Sequence, residues 1–215
     1  MNTRPGREAF TTEEWKVVQA CRTPAQAQRF LTATAYNREV ESETLRSFRG
    51  VILRKEAHCL EAALTAAVIL EQHGYPPLLM SLESQDKLDH VVFIFEKKGL
   101  WGSVARSRDL GLHGRKPVFR SPRHLAWSYF DTYVDYTGRI TGYGVGNLYA
   151  LGNYDWRFSL KNVRKVERYL CEIPHTEMIS SDRRYNRLLA RYREFKSAHP
   201  DEHFTGYVNR RQWML

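Results

Sequence analysis

Two stretches of this chain decide its predicted fold: Ala57-His58-Cys59-Leu60-Glu61-Ala62-Ala63-Leu64 and His90-Val91-Val92-Phe93-Ile94-Phe95. In the first, a cysteine begins a run whose apolar residues recur at three- and four-residue steps, which is typical of a helix. In the second, a histidine begins a run of β-branched and aromatic residues, which is typical of a strand. Unpaired N–H groups at a helix N-terminus lower a thiol pKa, and a neighbouring imidazole can complete the ionisation. The two stretches therefore predict a cysteine nucleophile made of Cys59 and His90.

The composition of the chain is that of a globular protein, because 42% of its 215 residues are hydrophobic and 13% are aromatic. Such a chain can bury a sizeable core. No apolar run has the length of a signal peptide near the start or of a membrane span elsewhere, so we expect a cytoplasmic protein without membrane association. The three cysteines, Cys21, Cys59 and Cys171, are odd in number and widely spaced, which argues against a disulfide framework. A zinc site made of His58, Cys59 and His90 would lack a fourth ligand, so neither a metal nor a cofactor is expected.

Around the two stretches, the pattern predicts an α+β fold. The cysteine helix ends near Gly74, where two prolines follow. Strands are predicted at Leu78–Leu82, His90–Phe95 and Leu100–Ala105, with a tight turn at Lys97-Lys98-Gly99. Further helices are predicted at 11–21, from 25, within 43–51, at 122–133, at about 160–170 and at 182–198.

The chain is predicted to form a single domain over residues 1–215. Residues 109–122 and the glycine series 142–146 are predicted as loops, the second one mobile and near the site. The expected parts are N-terminal helices (11–55), a core (56–107), a loop and helix region (108–155) and a basic helical tail (156–215).

The core also carries a set of motifs in a characteristic order. These are Ala57-His58-Cys59-Leu60-Glu61-Ala62-Ala63, His73-Gly74-Tyr75-Pro76-Pro77-Leu78-Leu79, Asp89-His90-Val91-Val92 and Gly99-Leu100-Trp101-Gly102-Ser103-Val104. Together they resemble the transglutaminase-like superfamily over about Glu56 to Ser107. Pro117-Val118-Phe119-Arg120 and residues 125–130 are similar to an uncharacterised microbial branch of it. The resemblance implies a papain-like core, in which the cysteine lies at a helix N-terminus that packs on an antiparallel sheet, with flanking helices at both ends of the chain.

The resemblance further implies a third catalytic residue, an aspartate near the end of the Trp101 strand that holds the imidazole in the useful tautomer. In this sequence the expected position carries serine or alanine. Ser103 could orient His90 by a hydrogen bond, and Asp109 or Asp89 could supply a carboxylate. The candidate catalytic residues are Cys59, His90, Ser103 and Asp109.

The chemistry that the resemblance implies is acyl transfer or amide hydrolysis on a peptide, amide or ester substrate. The Cys59 thiolate attacks a carbonyl carbon, His90 protonates the leaving group, and a thioester forms. Water then gives hydrolysis and an amine gives transfer. The sequence does not choose between these two outcomes.

A binding module without catalytic activity is the alternative prediction, because the net charge of +9 favours anionic partners such as nucleic acid. Residues 157–196 include eleven basic residues and only five acidic ones. Arg184, Arg187 and Arg191 are spaced to share one helix face. No helix-turn-helix, zinc-finger or RNA-recognition signature accompanies them.

Overall fold

The computed structural model describes residues 4–85, 90–135, 138–204 and 209–215. The strands are β1 (Ala35–Tyr36), β2 (Glu56–Ala57), β3 (Leu78–Ser84), β4 (His90–Lys97), β5 (Leu100–Val104), β6 (Arg115–Phe119), β7 (Ile140–Asn147) and β8 (His175–Glu177). The α-helices are α1 (Thr12–Ala20), α2 (Pro24–Ala33), α3 (Phe48–Arg54), α4 (Cys59–Glu71), α5 (Pro122–Tyr133), α6 (Arg164–Glu172), α7 (Asp182–Ala198) and α8 (Arg210–Trp213). Short 3₁₀ turns lie at Arg7–Ala9, Leu110–Leu112 and Leu148–Leu151.

Six of the strands form one antiparallel sheet in the order β6-β5-β4-β3-β7-β8, and β1 pairs with β2 in parallel. The two faces of the sheet are buried in separate apolar clusters. The first cluster joins α1 to α4 with Val91, Phe93 and Phe95 of β4, and the second joins α5 and α7 with Val92 and Ile94 of the same strand. The predicted α+β class is confirmed.

Helix α4 lies at the centre of the first cluster, and every one of its residues after Cys59 is buried. A helix that is apolar on all sides is stable only when neighbours enclose it, so its position on the sheet is fixed by packing. This packing holds the N-terminus of α4 at one end of β4. Within the described ranges, no helix combines the length and the apolar character needed to cross a membrane.

Several predicted elements are confirmed close to their predicted bounds. Thr11 and Glu14 form the capping box of α1, and α5 and α7 have the predicted limits. The β4–β5 turn has positive φ at Lys98 (55°) and Gly99 (77°), as a two-residue hairpin requires. The third helix begins later than predicted, at Phe48, because the Ser47 hydroxyl accepts a hydrogen bond from Gly50 N–H and caps it there.

Two predicted loops are wrong. The segment after Asp109 contains the edge strand β6, where Pro117 is tolerated because an edge strand need not donate on both sides. The glycine series 142–146 lies in β7, between β3 and β8. A Cβ at Gly144 would lie 2.9 Å from the His175 ring, and one at Gly146 would lie 2.9 Å from Tyr169. These glycines therefore serve close packing on a regular strand.

A buried ion pair joins the end of α4 to the segment that precedes α6. Arg157 donates to Glu71 through Nε at 2.9 Å and Nη2 at 2.7 Å, and both residues are buried. We expect Arg157→Ala to lower the free energy of unfolding by about 3 kcal/mol, because a buried carboxylate would lose its partner. Arg164→Ala is the matched control, since the Arg164–Glu43 pair is exposed and should contribute less than about 1 kcal/mol. Equal losses in urea unfolding of the two variants would contradict this.

Candidate active site

Cys59 is the first residue of α4, a partly exposed residue that forms no disulfide. His58 is the N-cap residue, and its Nδ1 lies 3.3 Å from the N–H of Leu60. The Glu61 carboxylate completes a capping box by accepting from the His58 N–H at 3.0 Å. The first N–H groups of a helix have no partner within the helix, and the Cys59 N–H is one of them.

Glu61 is fully buried and ties this helix start to the chain that passes over it. Besides His58, its carboxylate accepts hydrogen bonds from Asn37 Nδ2 (3.1 Å), the Thr44 hydroxyl (2.9 Å) and Arg46 N–H (2.9 Å). The carboxylate thus has four donors, and its Oε1 lies 3.6 Å from His58 Nε2. Glu61 therefore positions His58 and favours the charged form of its ring.

His90 is the first residue of β4, and its side chain is buried. Its Nε2 lies 2.9 Å from the carbonyl oxygen of Leu112, and its ring packs edge-on against Tyr129 at 5.8 Å between centroids. The ring also forms a hydrogen bond with the Cys59 thiol. Since Nε2 is directed at Leu112, Nδ1 is the nitrogen left for the sulfur.

The chain after β5 forms the other wall of the site. The β4–β5 pairing ends at Phe93 and Val104, three residues short of His90, and the chain from 105 onward leaves the sheet and turns around the His90 ring. This departure brings the Leu112 carbonyl to His90. Arg115 holds that carbonyl in place, because its guanidinium donates to the flanking carbonyls of His113 (2.6 Å) and Gly111 (2.7 Å).

The electrostatics of the site favour a thiolate. Burial would raise the pKa of the Cys59 thiol, but the hydrogen bonds from His58 and His90 and the charge of both rings outweigh it and lower the pKa to about 5. Burial alone would lower the pKa of His58, but its contacts with Cys59, Glu61 and the Thr44 carbonyl raise that pKa to about 9. Sulfur and ring therefore form an ion pair near neutral pH.

The protonation of His58 decides which contacts its ring makes. The 3.1 Å contact of Nε2 with the Thr44 carbonyl is a donation in either state. A neutral ring accepts from Leu60 N–H at Nδ1, whereas a charged ring carries a proton on Nδ1 and cannot accept there. The Cys59 sulfur beside the ring and the Glu61 carboxylate behind it favour the charged form, whose Nδ1 proton would then be available to the sulfur.

The other two sequence-predicted residues lie elsewhere. Ser103 is buried, and its hydroxyl lies 2.7 Å from the Tyr129 hydroxyl and accepts from Arg115 N–H. Asp109 lies 3.3 Å from His203 at the surface. Neither contacts His90, whose orienting partner is a backbone carbonyl, and Asp89 lies outside the described residues.

His58 directly precedes Cys59 in the sequence, a spacing that predicts a ring turned away around the helix as a surface or capping group. The structure adds its contact with the Cys59 thiol. The signal was present, because His58 and Glu61 have the spacing of a capping box with histidine as the cap. Leu112 and Arg115 left no such signal. A carbonyl is common to every residue, so its use depends on the path of the chain.

The predicted arginine face of α7 is divided in the structure. Arg184 pairs with Asp131 and lies over the rings of Trp127 and Phe130, whereas Arg187 is exposed. The buried Arg157 is likewise directed inward. Arg183, Arg191 and Arg193 of α7 are exposed as well, so exposed basic residues remain on this helix.

No protein-family model and no curated protein matches this chain. Among the residues that the structure describes, no three His, Cys, Asp or Glu side chains converge as metal ligands would. The site is therefore interpreted from its own geometry, a thiol between two imidazoles at a helix N-terminus.

Proposed function

We propose that this protein is a cysteine-dependent acyltransferase or amide hydrolase with a transglutaminase-like, papain-like core. The observation that carries the proposal is the hydrogen bond between the Cys59 thiol and the His90 ring at the N-terminus of α4. The thiolate is the nucleophilic form of cysteine, and this site favours it. A peptide, amide or ester carbonyl is the expected electrophile.

The first half of the reaction forms a thioester. The Cys59 sulfur bonds to the carbonyl carbon, and the electron pair of the C=O bond moves to oxygen, where the Cys59 N–H can donate to it. The C=O bond then re-forms as the bond to the leaving group breaks. In this step the protonated form of His90 donates its Nδ1 proton to the leaving group and becomes neutral.

The second half releases the acyl group. His90 takes a proton from water or from an amine as it attacks the thioester, and the Cys59 thiolate leaves. The Leu112 carbonyl can hold the His90 ring in one orientation throughout, because His90 Nε2 donates to the carbonyl oxygen at 2.9 Å. A carbonyl carries no full charge, so we expect slower turnover than with an aspartate in this position.

Acylation by a p-nitrophenyl ester tests the proposal. We expect a burst of nitrophenol that approaches one per protein molecule, with the acyl mass on the peptide that contains Cys59. Cys59→Ser should abolish both, whereas Cys171→Ser, which removes an exposed thiol on α6, should change neither. A folded wild-type protein that carries no acyl group on Cys59 would contradict the proposal.

A further inference from the structure

Arg115 contacts two aromatic rings. Its guanidinium carbon lies 3.9 Å from the centroid of the Tyr129 ring and 4.4 Å from that of the Trp213 ring. Arg115 is fully buried, whereas Trp213 is partly exposed. Aromatic faces attract a cation, and the attraction grows when the cation is removed from water. The two rings therefore help to hold the guanidinium in one place.

Arg115 is connected to His90 in two ways. Its guanidinium donates to the carbonyls on either side of Leu112, and the Leu112 carbonyl oxygen lies 2.9 Å from His90 Nε2. Tyr129, which lies against the guanidinium, also packs edge-on against the His90 ring with 5.8 Å between the centroids. The Tyr129 hydroxyl donates to the His113 carbonyl at 3.2 Å. A shift of the guanidinium would therefore reach the His90 ring through the backbone and through Tyr129.

Trp213 lies in a segment that is attached along β6. The N–H of Leu215 donates to the Gly114 carbonyl at 3.1 Å, and Lys116 Nζ donates to a backbone carbonyl of α8 at 2.6 Å. Gly114 and Lys116 are the residues directly before and after Arg115. The segment 209–215 is thus attached at the same place where its indole meets the guanidinium.

We infer that Trp213 is a positioning residue for His90, and that it acts through Arg115 and the Leu112 carbonyl. The inference rests on the proposed function, because it concerns the histidine of that site. Without the indole, the guanidinium loses one of its ring contacts, and water can compete for its hydrogen bonds to the two carbonyls. The His90 ring is then held less firmly, and a poorly oriented base transfers protons less efficiently.

An activated ester separates the two halves of the reaction. Nitrophenolate leaves without a proton from His90, so the burst from p-nitrophenyl acetate reports the attack by Cys59. The slower release that follows reports hydrolysis of the thioester, in which His90 takes a proton from water. We expect Trp213→Ala to retain a burst of about one nitrophenol per protein molecule and to lower the rate of the slower release about tenfold.

The ultraviolet titration of the Cys59 thiolate gives a second readout of the same effect. His90 forms a hydrogen bond with the sulfur, so a less firmly held ring should stabilise the thiolate less. We expect Trp213→Ala to raise the midpoint by about half a pH unit, which is less than removal of the imidazole should. A loss of stability alone would move neither quantity in a protein that remains folded.

Two further variants isolate the contact between indole and guanidinium. Trp213→Phe keeps a ring against Arg115 and should restore the wild-type rate of the slower release. Trp15→Ala is the matched control, because Trp15 is also partly buried and lies over an arginine, with 5.2 Å from the Arg7 guanidinium carbon to the ring centroid, but belongs to α1. It should lower the free energy of unfolding in urea without slowing the release.

Three results would overturn the inference, and they differ. If Trp213→Ala gives the full burst but releases acetate at the wild-type rate with an unchanged Cys59 midpoint, the positioning role is wrong and the proposed function stands. Equal slowing in Trp15→Ala would indicate general loosening of the fold in place of a specific path to His90. If the wild-type protein gives no burst at Cys59, the proposed function fails, and the inference fails with it.

Discussion

The ultraviolet absorbance of the Cys59 thiolate is expected to titrate with a midpoint near pH 5, far below the ordinary range of a thiol. The physical reason is that two imidazoles donate to the sulfur, and together they lower its pKa by more than burial raises it. Of the other cysteines, Cys21 is buried and burial raises the pKa of its thiol. The acidic transition should therefore belong to Cys59 and disappear in Cys59→Ser.

Removal of either imidazole separates the contributions of His58 and His90 to the lowered pKa of the Cys59 thiol. His58→Ala and His90→Ala should each raise the midpoint by about one to two pH units, because each removes one donor and one positive charge. In the double variant the burial is unopposed, so the midpoint should reach or exceed that of an ordinary thiol. An alkylation rate at a single pH reports this pKa less directly than the titration does, since a thiolate of low pKa is also a weaker nucleophile.

The same pKa values fix the sign of the effect on stability. The lowered pKa of Cys59 means that its thiolate stabilises the fold fully above about pH 8.5, and this contribution is lost as the pH falls through about 5. The raised pKa of His58 contributes fully below about pH 6.5 and is lost as the pH rises through about 9. The difference in unfolding free energy between wild type and Cys59→Ser should thus be largest between about pH 6.5 and 8.5.

A titration midpoint near pH 8.5 that neither histidine substitution moves would contradict this picture. Cys59 would then be an ordinary half-buried thiol, and the proposed chemistry would lose its basis. The His73→Ala variant serves as a control, because His73 lies at the other end of α4 and contacts the Val18 carbonyl.

The second large effect is expected at Glu61. Glu61→Ala should lower the free energy of unfolding by about 5 kcal/mol, because it leaves four donors around a fully buried carboxylate without an acceptor. It also removes the negative charge that lies 3.6 Å from His58 Nε2. We therefore expect the Cys59 midpoint to rise in the same variant, since a less basic His58 stabilises the thiolate less.

Glu61→Gln separates the effect of the charge from the effect on stability. The amide keeps the shape and one acceptor, so the free energy of unfolding should fall less than with alanine, whereas the midpoint of the Cys59 titration should still rise. Glu14→Ala is the matched control, because Glu14 is also a buried capping-box residue but belongs to α1 and pairs with Arg49. It should destabilise the protein in urea unfolding without moving the thiol. A thiol titration that responds equally to both variants would indicate general loosening of the fold.

Local features of the fold could be read directly from the chain. The capping box at Thr11, the turn at Lys98-Gly99 and the limits of α5 and α7 depend on contacts between residues a few positions apart, so their signals are short-range. The glycine series 142–146, by contrast, predicted a loop where the structure has a strand. Its residues are glycine because His175 and Tyr169 pack closely against β7, and both lie far along the chain.

The site divides in the same way. The sequence by itself determined that Cys59 begins a buried helix and that His90 begins a central strand, because periodicity and composition reveal both. Only the tertiary structure decided what surrounds them: the Leu112 carbonyl on His90, Arg115 behind it, and the carboxylate that holds His58 against the sulfur. These partners come from segments that meet only when the chain leaves the sheet after β5 and when 37–46 crosses the start of α4. A pattern of neighbours along the chain cannot encode such meetings, which is why the orienting group of His90 was sought among side chains and lies in the backbone.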